Sequence, residues 1–238
     1  MKKFKLFFSI IISFLFFTAF SSAQSLGPQP TANHTIGLNA DGTVYTWGNN
    51  PSGQLGDGTN TQRTTPVKVL KGAYSEGLTY LGDDPTNKIT AVALGQDFSI
   101  ALAADGTVYT WGRNTNGQLG DNITTGSPTP VKVWRGAYSG TTYLGDAVGG
   151  SNKITAVALG AFHSIALAAD GTVYTWGYNY YGQLGDNSTT QSKIPVKVNG
   201  VGGVGDLALP VELTGFSAVI QGSQVVLNWQ TATEVNNY

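Results

Sequence analysis

The sequence of 238 residues contains two histidines, His34 and His163, whose imidazoles could act as a general base or bind a metal. Both stand seven residues before an Asp-Gly pair, in copies of one repeated segment. The corresponding residue of the middle copy is Phe98. A position that accepts Phe serves packing or a turn, so we interpret the histidines as structural residues, with a catalytic or metal-binding role as the alternative.

The aspartates recur with the same repeats, in two sets. The first set precedes a glycine and comprises Asp41, Asp105 and Asp170. The second set ends each Gly-Gln-Leu-Gly-Asp segment and comprises Asp57, Asp121 and Asp186. The second set resembles a calcium loop only superficially, because the alternating Asp/Asn ligands and the distant Glu are missing. We therefore expect both sets to form side-chain hydrogen bonds to the backbone of turns.

Other signatures of catalysis are missing from the sequence. It has no Cys, which excludes thiol nucleophiles, disulfides and zinc–thiolate sites. It has no Gly-x-Ser-x-Gly and no glycine-rich phosphate loop, and no carboxylate pair distinguishes one copy from the others, as a glycosidase would require. We predict a protein that is not an enzyme, without catalytic residues, cofactor or metal. The formal net charge of −1 argues against binding to nucleic acid.

The first 23 residues have the composition of a secretory signal peptide. Lys2, Lys3 and Lys5 precede an uncharged apolar run from Leu6 to Phe20, and small residues follow. This run is shorter than the ~20 residues that a membrane span needs, although an uncleaved anchor is the alternative. We expect an exported protein, secreted or at the cell surface, with no membrane span after cleavage.

Three segments of the remaining chain superpose without a gap: Leu38–Asp57, Leu102–Asp121 and Leu167–Asp186. Each is followed by a Pro-Val-Lys-Val segment, and the block Asn-Lys-Ile-Thr-Ala-Val-Ala-Leu-Gly precedes the second and third copies. The repeats cover 24–200, at about 31–94, 95–159 and 160–200. Repetition of this kind determines the architecture.

Each repeat has the pattern of four β-strands. Asp-Gly between alternating residues predicts a hairpin with a two-residue type I′ turn. In that register Leu167 faces Tyr174 and Ile165 faces Trp176, which makes one bulky and one small face. Four strands repeated radially predict an all-β fold of β-propeller blades. The bulky faces would place a core of Trp-Gly pairs between blades: Trp47, Trp111 and Trp176 with Gly48, Gly112 and Gly177.

The segment from His163 to Asp186 resembles the repeat of the regulator of chromosome condensation family. Its pattern is His-Thr/Ser-x-x-Leu, then Asp-Gly-x-Val-Tyr-x-Trp-Gly, then Asn-x-x-Gly-Gln-Leu-Gly. The resemblance covers about 31–200 and implies a seven-bladed propeller that acts by protein recognition or by nucleotide exchange on a small GTPase. Three copies fall short of the four to eight blades of a closed ring, so we expect an incomplete or open propeller.

The copies differ from one another in loops and insertions, where recognition surfaces are commonly built. We predict a binding surface made from two groups of residues. The loops between Trp-Gly and Gly-Gln contribute Arg113, Tyr178, Tyr180 and Tyr181. Small inserted hairpins, expected to project from the blade edges, contribute Lys71, Tyr74, Tyr80, Arg135, Tyr138 and Tyr143.

The C-terminal part changes in character. We predict a Gly-rich linker at 201–206 and two strands, Val211–Ile220 and Gln224–Gln230, within 207–238. This part resembles the opening of a fibronectin-type β-sandwich of the kind that precedes C-terminal sorting tails in exported proteins of the Bacteroidota. A sandwich needs about seven strands, so we expect a truncated piece and a chain that is a fragment.

The sequence thus predicts an exported propeller module that binds a protein or a glycan through its loops. Nucleotide exchange and a role as accessory domain of a larger exported enzyme are the alternatives. If the chain is complete, self-assembly into a homo-oligomer is a further expectation.

Overall fold

The computed structural model describes residues 32–73, 77–138, 142–146, 152–207, 213–221 and 224–231. They form β-strands and one 3-10 turn (Val201–Gly203), which confirms the predicted all-β fold. The strands are β1 (His34–Leu38), β2 (Val44–Gly48), β3 (Arg63–Lys68), β4 (Ile89–Leu94), β5 (Phe98–Ala103), β6 (Val108–Gly112), β7 (Ser127–Lys132), β8 (Ile154–Leu159), β9 (His163–Ala168), β10 (Val173–Gly177), β11 (Ser192–Lys197), β12 (Leu213–Gln221) and β13 (Gln224–Thr231).

The strands pair antiparallel with their chain neighbours. The sheets of the described residues are β1-β2-β3, β4-β5-β6-β7, β8-β9-β10-β11 and β12-β13. Strand β4 pairs with β5 and therefore begins the second sheet, whereas the sequence repeat boundary near 94–95 falls after it. The strand pair β12-β13 confirms the two predicted C-terminal strands, while a β-sandwich stays a prediction.

The Asp-Gly hairpins have a three-residue loop, so the predicted two-residue turn is wrong. In the third sheet the Gly171 N–H donates to Ala168 O at 3.0 Å, and the Ala168 N–H donates to Thr172 O at 2.9 Å. Gly171 has a φ of +85°, a conformation that favours glycine, as in a turn followed by a bulge. The register therefore shifts by one residue: Leu167 pairs with Val173, and Ala166 pairs with Tyr174.

This shift exchanges the side chains between the two faces of each hairpin. One face is aliphatic, with Ile100, Leu102 and Val108 in the second sheet. The opposite face of the next sheet combines small residues on one strand with aromatic residues on the other, as Ala166 and Tyr174 show. The aliphatic and aromatic faces pack together in one buried cluster. The same arrangement joins the first and second sheets, so the three sheets stack as consecutive blades.

The inserted segments connect neighbouring blades instead of projecting from one of them. The Ala73 N–H donates to Pro130 O of the next blade at 2.8 Å, and the Ala137 N–H donates to Pro195 O at 2.8 Å. In the third sheet a shorter turn replaces the insert, closed by pairing between Asn199 and Asp206. Residues 201–206, predicted as a linker, form the tip of this turn.

The strand order gives each sheet two distinct ends. The Gly-Gln-Leu-Gly loops and the β4–β5 and β8–β9 turns lie at one end, called here the loop end. The Asp-Gly turns and the inserts lie at the opposite end, called the insert end. The predicted signal peptide, 1–23, lies outside the described residues, and none of the helical structure described is long and apolar enough to cross a membrane.

Candidate binding surface

The loops of the loop end are organised by a buried asparagine in each blade. The Asn114 Nδ2 lies 2.9 Å from Asp121 Oδ1 and 3.1 Å from the carbonyl oxygens of Ile123 and Thr125. Its Oδ1 accepts a hydrogen bond of 3.0 Å from the Leu119 N–H. Asn50 and Asn179 make the corresponding bonds in the other blades. These amides fix the loop backbone, so the variable side chains stand on a rigid support.

The two sets of aspartates form the turn hydrogen bonds predicted for them. Asp170 Oδ1 accepts from the Thr172 N–H at 2.9 Å, and Asp186 Oδ1 accepts from the Ser188 N–H at 3.0 Å. In the first blade the Thr43 N–H holds the pKa of Asp41 below its usual value. Among the described residues, no group of three His, Asp or Glu side chains is placed to hold a metal ion.

Both histidines are buried between packed elements, which supports their structural interpretation. His34 Nε2 lies 2.9 Å from Ser99 Oγ, and burial lowers the pKa of His34 to about 4. Burial likewise lowers the pKa of His163 to about 4, and its Nε2 has no hydrogen-bond partner in the described chain. The ring of His163 lies over Gly160, as Phe98 lies over Gly95, and a methyl group on either glycine would collide with the ring. The position therefore needs a flat ring and does not need a charge.

The predicted Trp core holds the blades together by hydrogen bonds as well as by packing. The Trp111 Nε1 donates to Gln54 O at 2.9 Å, and Ser99 Oγ donates to the same oxygen at 3.0 Å. Trp176 repeats the contact on Gln118 O at 3.0 Å. Trp111 and Trp176 are fully buried, whereas Trp47 of the first sheet is half-buried. The glycines that follow these three residues, Gly48, Gly112 and Gly177, all have positive φ.

Arg113 connects the second and third blades at the loop end. Its Nη1 lies 3.4 Å from Asp97 Oδ2, and its Nε donates to Thr115 Oγ1 at 3.1 Å. The guanidinium carbon lies 5.5 Å from the ring centre of Phe162, in the turn of the next blade, which is a cation–π distance. These contacts hold the guanidinium in one place although its side chain is 37% exposed.

The aromatic contacts continue from Phe162 to an exposed group of tyrosines. The rings of Phe162 and Tyr178 meet edge-on with centres 6.2 Å apart. Tyr178 lies 6.4 Å from both Tyr180 and Tyr181, which are 67% and 80% exposed. We call this continuous surface the aromatic–arginine strip, and it comprises Asp97, Arg113, Phe162, Tyr178, Tyr180 and Tyr181.

The predicted residues of the inserts lie elsewhere. Lys71, Tyr80, Arg135 and Tyr143 belong to the insert end, and Tyr80 and Tyr143 lie under the ammonium groups of Lys68 and Lys132, at 4.8 and 5.3 Å. Tyr74 falls outside the described residues. The structure therefore unites the four loop residues and separates them from the insert group.

Tyr138 is wrongly predicted as a surface residue. It is 2% exposed, and its hydroxyl donates to Asn152 O. Its ring meets that of Tyr174 edge-on at 5.5 Å, and burial raises the pKa of Tyr174 to about 12. The residue belongs to the contact between two blades.

Sequence reasoning missed Phe162 and Asp97. Each lies directly before the buried ring residue of its repeat, Asp97 before Phe98 and Phe162 before His163. The first copy has Asn33 at this position. Comparison of the copies at this position could have found them, because the first two copies have a polar side chain there and the third has an aromatic ring.

The sequence pattern of known repeats matches most of the chain. The regulator of chromosome condensation (RCC1) repeat matches residues 41–102, 105–167 and 170–220, and a second description of this repeat matches 89–118 and 154–183. The ultraviolet-B receptor UVR8 of Arabidopsis thaliana is 34% identical over 175 residues, which are 72% of this chain and 34% of UVR8. The E3 ubiquitin-protein ligase HERC2 of Homo sapiens is 34% identical over 161 residues, which are 68% of this chain and 3% of HERC2.

Solved structures show the same fold. Prp20p from Saccharomyces cerevisiae superposes with a TM-score of 0.54 and 23% identity, over 71% of this chain and 37% of Prp20p. The yeast protein in its complex with Kap60 superposes with a TM-score of 0.52 over 71% of this chain and 36% of that chain. The chain thus spans about a third of the length of UVR8 and of Prp20p.

Proposed function

Because this chain belongs to the regulator of chromosome condensation (RCC1) repeat family, we propose that it binds a protein partner through the aromatic–arginine strip, without catalysis of its own. The signal-like segment at 1–23 favours action outside the cell, secreted or at the cell surface, and so does the resemblance of the C-terminal part to the fibronectin-type β-sandwich of exported proteins.

The exposed tyrosine group is the observation that carries this proposal. Tyr180 and Tyr181 present large amphipathic rings to solvent, and their mutual contact at 5.0 Å limits the rotamer freedom that binding would remove. Tyrosine and arginine are the residue types that dominate binding energy in protein interfaces. The exposed tyrosines lie next to an arginine that its neighbours hold in place. We therefore expect this surface to be in contact with a protein partner instead of remaining exposed to solvent.

The solved relatives favour a protein as the partner. The structure of Prp20p was described together with its binding to Gsp1p and histones, and a second structure shows it with Kap60. A glycan is the second candidate ligand at the same strip, since tyrosine rings also stack on sugars. Two further hypotheses are nucleotide exchange on a small GTPase and an accessory role in a larger exported enzyme.

Photo-crosslinking from the strip tests the proposal. A benzophenone amino acid replaces Tyr180 in one variant and Ile123 in the control, because Ile123 is 52% exposed on the corresponding loop of the second blade. We expect a discrete, protease-sensitive adduct from position 180 in a cell-envelope extract and none from position 123. Equal adducts at both positions, or an adduct that resists protease and yields only carbohydrate, would contradict protein binding at the strip. Release of a fluorescent guanine nucleotide from a GTPase would favour nucleotide exchange instead.

A further inference from the structure

The Gly-Gln-Leu-Gly loop of the first blade binds an arginine of its own blade. Arg63, the first residue of β3, donates from Nε to Asp57 Oδ2 at 2.7 Å, and its Nη2 donates to Thr59 Oγ1 at 3.4 Å. The Asp57 side chain is 7% exposed and the Arg63 side chain 36%. The guanidinium thus lies against two acceptors of the loop, a carboxylate oxygen and a hydroxyl oxygen.

The third blade builds the same two acceptors. Asp186 Oδ1 accepts from the Ser188 N–H at 3.0 Å, from Ser188 Oγ at 2.9 Å and from Asn179 Nδ2 at 3.2 Å. Asp57 Oδ1 accepts the three corresponding bonds in the first blade. Thr59 Oγ1 and Ser188 Oγ each accept a further bond of 3.2 Å from the N–H two residues later. Since all these bonds leave Oδ2 free for the arginine in the first blade, they hold Asp186 Oδ2 in the corresponding place.

The third blade has no arginine at this place. Ser192 occupies the position of Arg63, because both begin the last strand of their sheet and pair with the glycine that follows the Trp. The Ser192 hydroxyl donates to a carbonyl oxygen of its own strand at 2.7 Å. The next residue, Lys193, lies against Gly117 of the second blade. Within the described chain, Asp186 Oδ2 therefore has neither a hydrogen bond nor an ion pair.

The second blade provides a natural contrast. Asp121 Oδ1 accepts from Asn114 Nδ2 at 2.9 Å and from the Ile123 N–H at 3.3 Å, and Ser127 occupies the position of Arg63. Ile123 corresponds to Ser188 and has no hydroxyl group. The second blade thus offers a carboxylate alone, whereas the third offers the carboxylate together with the hydroxyl.

The acceptors of the third blade adjoin the aromatic–arginine strip. Asn179, whose amide donates to Asp186, directly precedes Tyr180 in the chain. Tyr180 is 67% exposed, and Asp186 is partly exposed. A protein that covers the exposed tyrosines would therefore also reach the carboxylate.

We propose that Asp186 Oδ2 and Ser188 Oγ form a binding site for the guanidinium group of an arginine of the protein partner, in the place that Arg63 takes in the first blade. This inference rests on the proposed function and adds the chemistry of one residue of the partner. The planar guanidinium presents several N–H groups in a fixed fork and reaches both oxygens, as Arg63 does, whereas a lysine ammonium is a point charge. The site should therefore select arginine over lysine.

Two small probes, N-acetyl-argininamide and N-acetyl-lysinamide, test the site on the full chain. The readout is the carboxyl carbon resonance of each aspartate in the ¹³C-labelled protein, followed by NMR. We expect argininamide to shift the resonance of Asp186 saturably and to bind there about fivefold more tightly than lysinamide. Asp121 is the internal control and should respond about fivefold more weakly to argininamide. Asp57, which is already paired with Arg63, should not respond.

Three variants make this readout specific to the two acceptors. Ser188→Ala removes the hydroxyl and should weaken argininamide binding about threefold, with a smaller effect on lysinamide. Ser192→Arg places an arginine of the chain itself at the position of Arg63, and it should abolish the response of Asp186 to argininamide. Ser127→Arg is the matched control in the second blade and should leave the response of Asp186 unchanged. Equal binding of the two probes at Asp186, or equal responses of Asp186 and Asp121, would overturn the inference.

The protein captured by crosslinking at position 180 provides the second part of the test. Asp186→Asn keeps the oxygen that organises the loop and should weaken binding of this protein about fivefold, whereas Asp121→Asn should change it less than about twofold. Unchanged affinity of Asp186→Asn would overturn the inference while leaving binding through the strip intact. Failure to capture any protein would contradict the proposed function, and with it a partner as the source of the arginine, even where argininamide shifts Asp186.

Discussion

The guanidinium of Arg113, in the second blade, lies 5.5 Å from the ring centre of Phe162, in the third. This contact joins two side chains that are far apart in the sequence and continues through Tyr178 to the exposed tyrosines. Side chains from two consecutive blades thereby form one continuous surface at the loop end.

The first prediction concerns the Trp contact between blades. Trp176→Phe removes the hydrogen bond to Gln118 O and leaves a cavity in a fully buried site. We expect it to lower the free energy of unfolding by about 1–3 kcal/mol. Trp47→Phe is the matched control, since Trp47 is half-buried, and it should cost clearly less. Urea denaturation measures both, and equal losses would contradict the assigned packing.

The second prediction concerns acid stability. The pKa of His163 is about 4 in the folded chain against about 6.5 when unfolded, so protonation favours unfolding. Its contribution is fully present above pH 6.5 and is lost as the pH falls toward 4. The loss amounts to about 1 kcal/mol per pH unit for each such histidine, and His34 contributes in the same direction.

His163→Phe tests this assignment, because Phe98 already occupies the equivalent position of the second blade. We expect the variant to fold and to lose about half of the slope of unfolding free energy between about pH 4 and 6.5. Urea denaturation at several pH values measures the slope. An unchanged slope would show that His163 does not carry the acid sensitivity.

The third prediction separates surface from core among the tyrosines. Tyr138→Ala should lower the free energy of unfolding by about 3–5 kcal/mol, because the residue is packed between blades. Tyr181→Ala should change it by less than about 0.5 kcal/mol, as is usual for exposed positions. Thermal or urea denaturation compares the two. A large loss with Tyr181→Ala would assign the exposed group to stability instead of binding.

The repeat pattern was sufficient to predict the strands, the buried Trp111 and Trp176 and the turn aspartates, whereas Trp47 is only half-buried. It did not determine the hairpin register, because Asp-Gly suits both a two-residue loop and a three-residue loop with glycine at positive φ. The structure selects the longer loop through the bond between the Ala168 N–H and Thr172 O. A shift of one residue then exchanges the two faces, so the predicted bulky face was wrong, although its four residues Ile165, Leu167, Tyr174 and Trp176 are all buried.

The candidate site could be predicted only in part, for a spatial reason. Variation between copies identified Arg113 and Tyr180, which are close in sequence to the repeat motif. Phe162 joins them only because the third blade packs its turn beside the second blade's loop. Tyr138 was misplaced for a related reason: its hydroxyl and ring find partners in the following blade.

Affinity for the protein captured at position 180 tests the central claim most directly. The double variant Tyr180→Ser/Tyr181→Ser is compared with the control Ile123→Ser by calorimetry, with the fold of each verified by urea denaturation. Loss of the exposed aromatic anchors should weaken binding at least tenfold, whereas the control should change it less than twofold. Equal affinity of the double variant and the unmodified chain would contradict recognition through the aromatic–arginine strip.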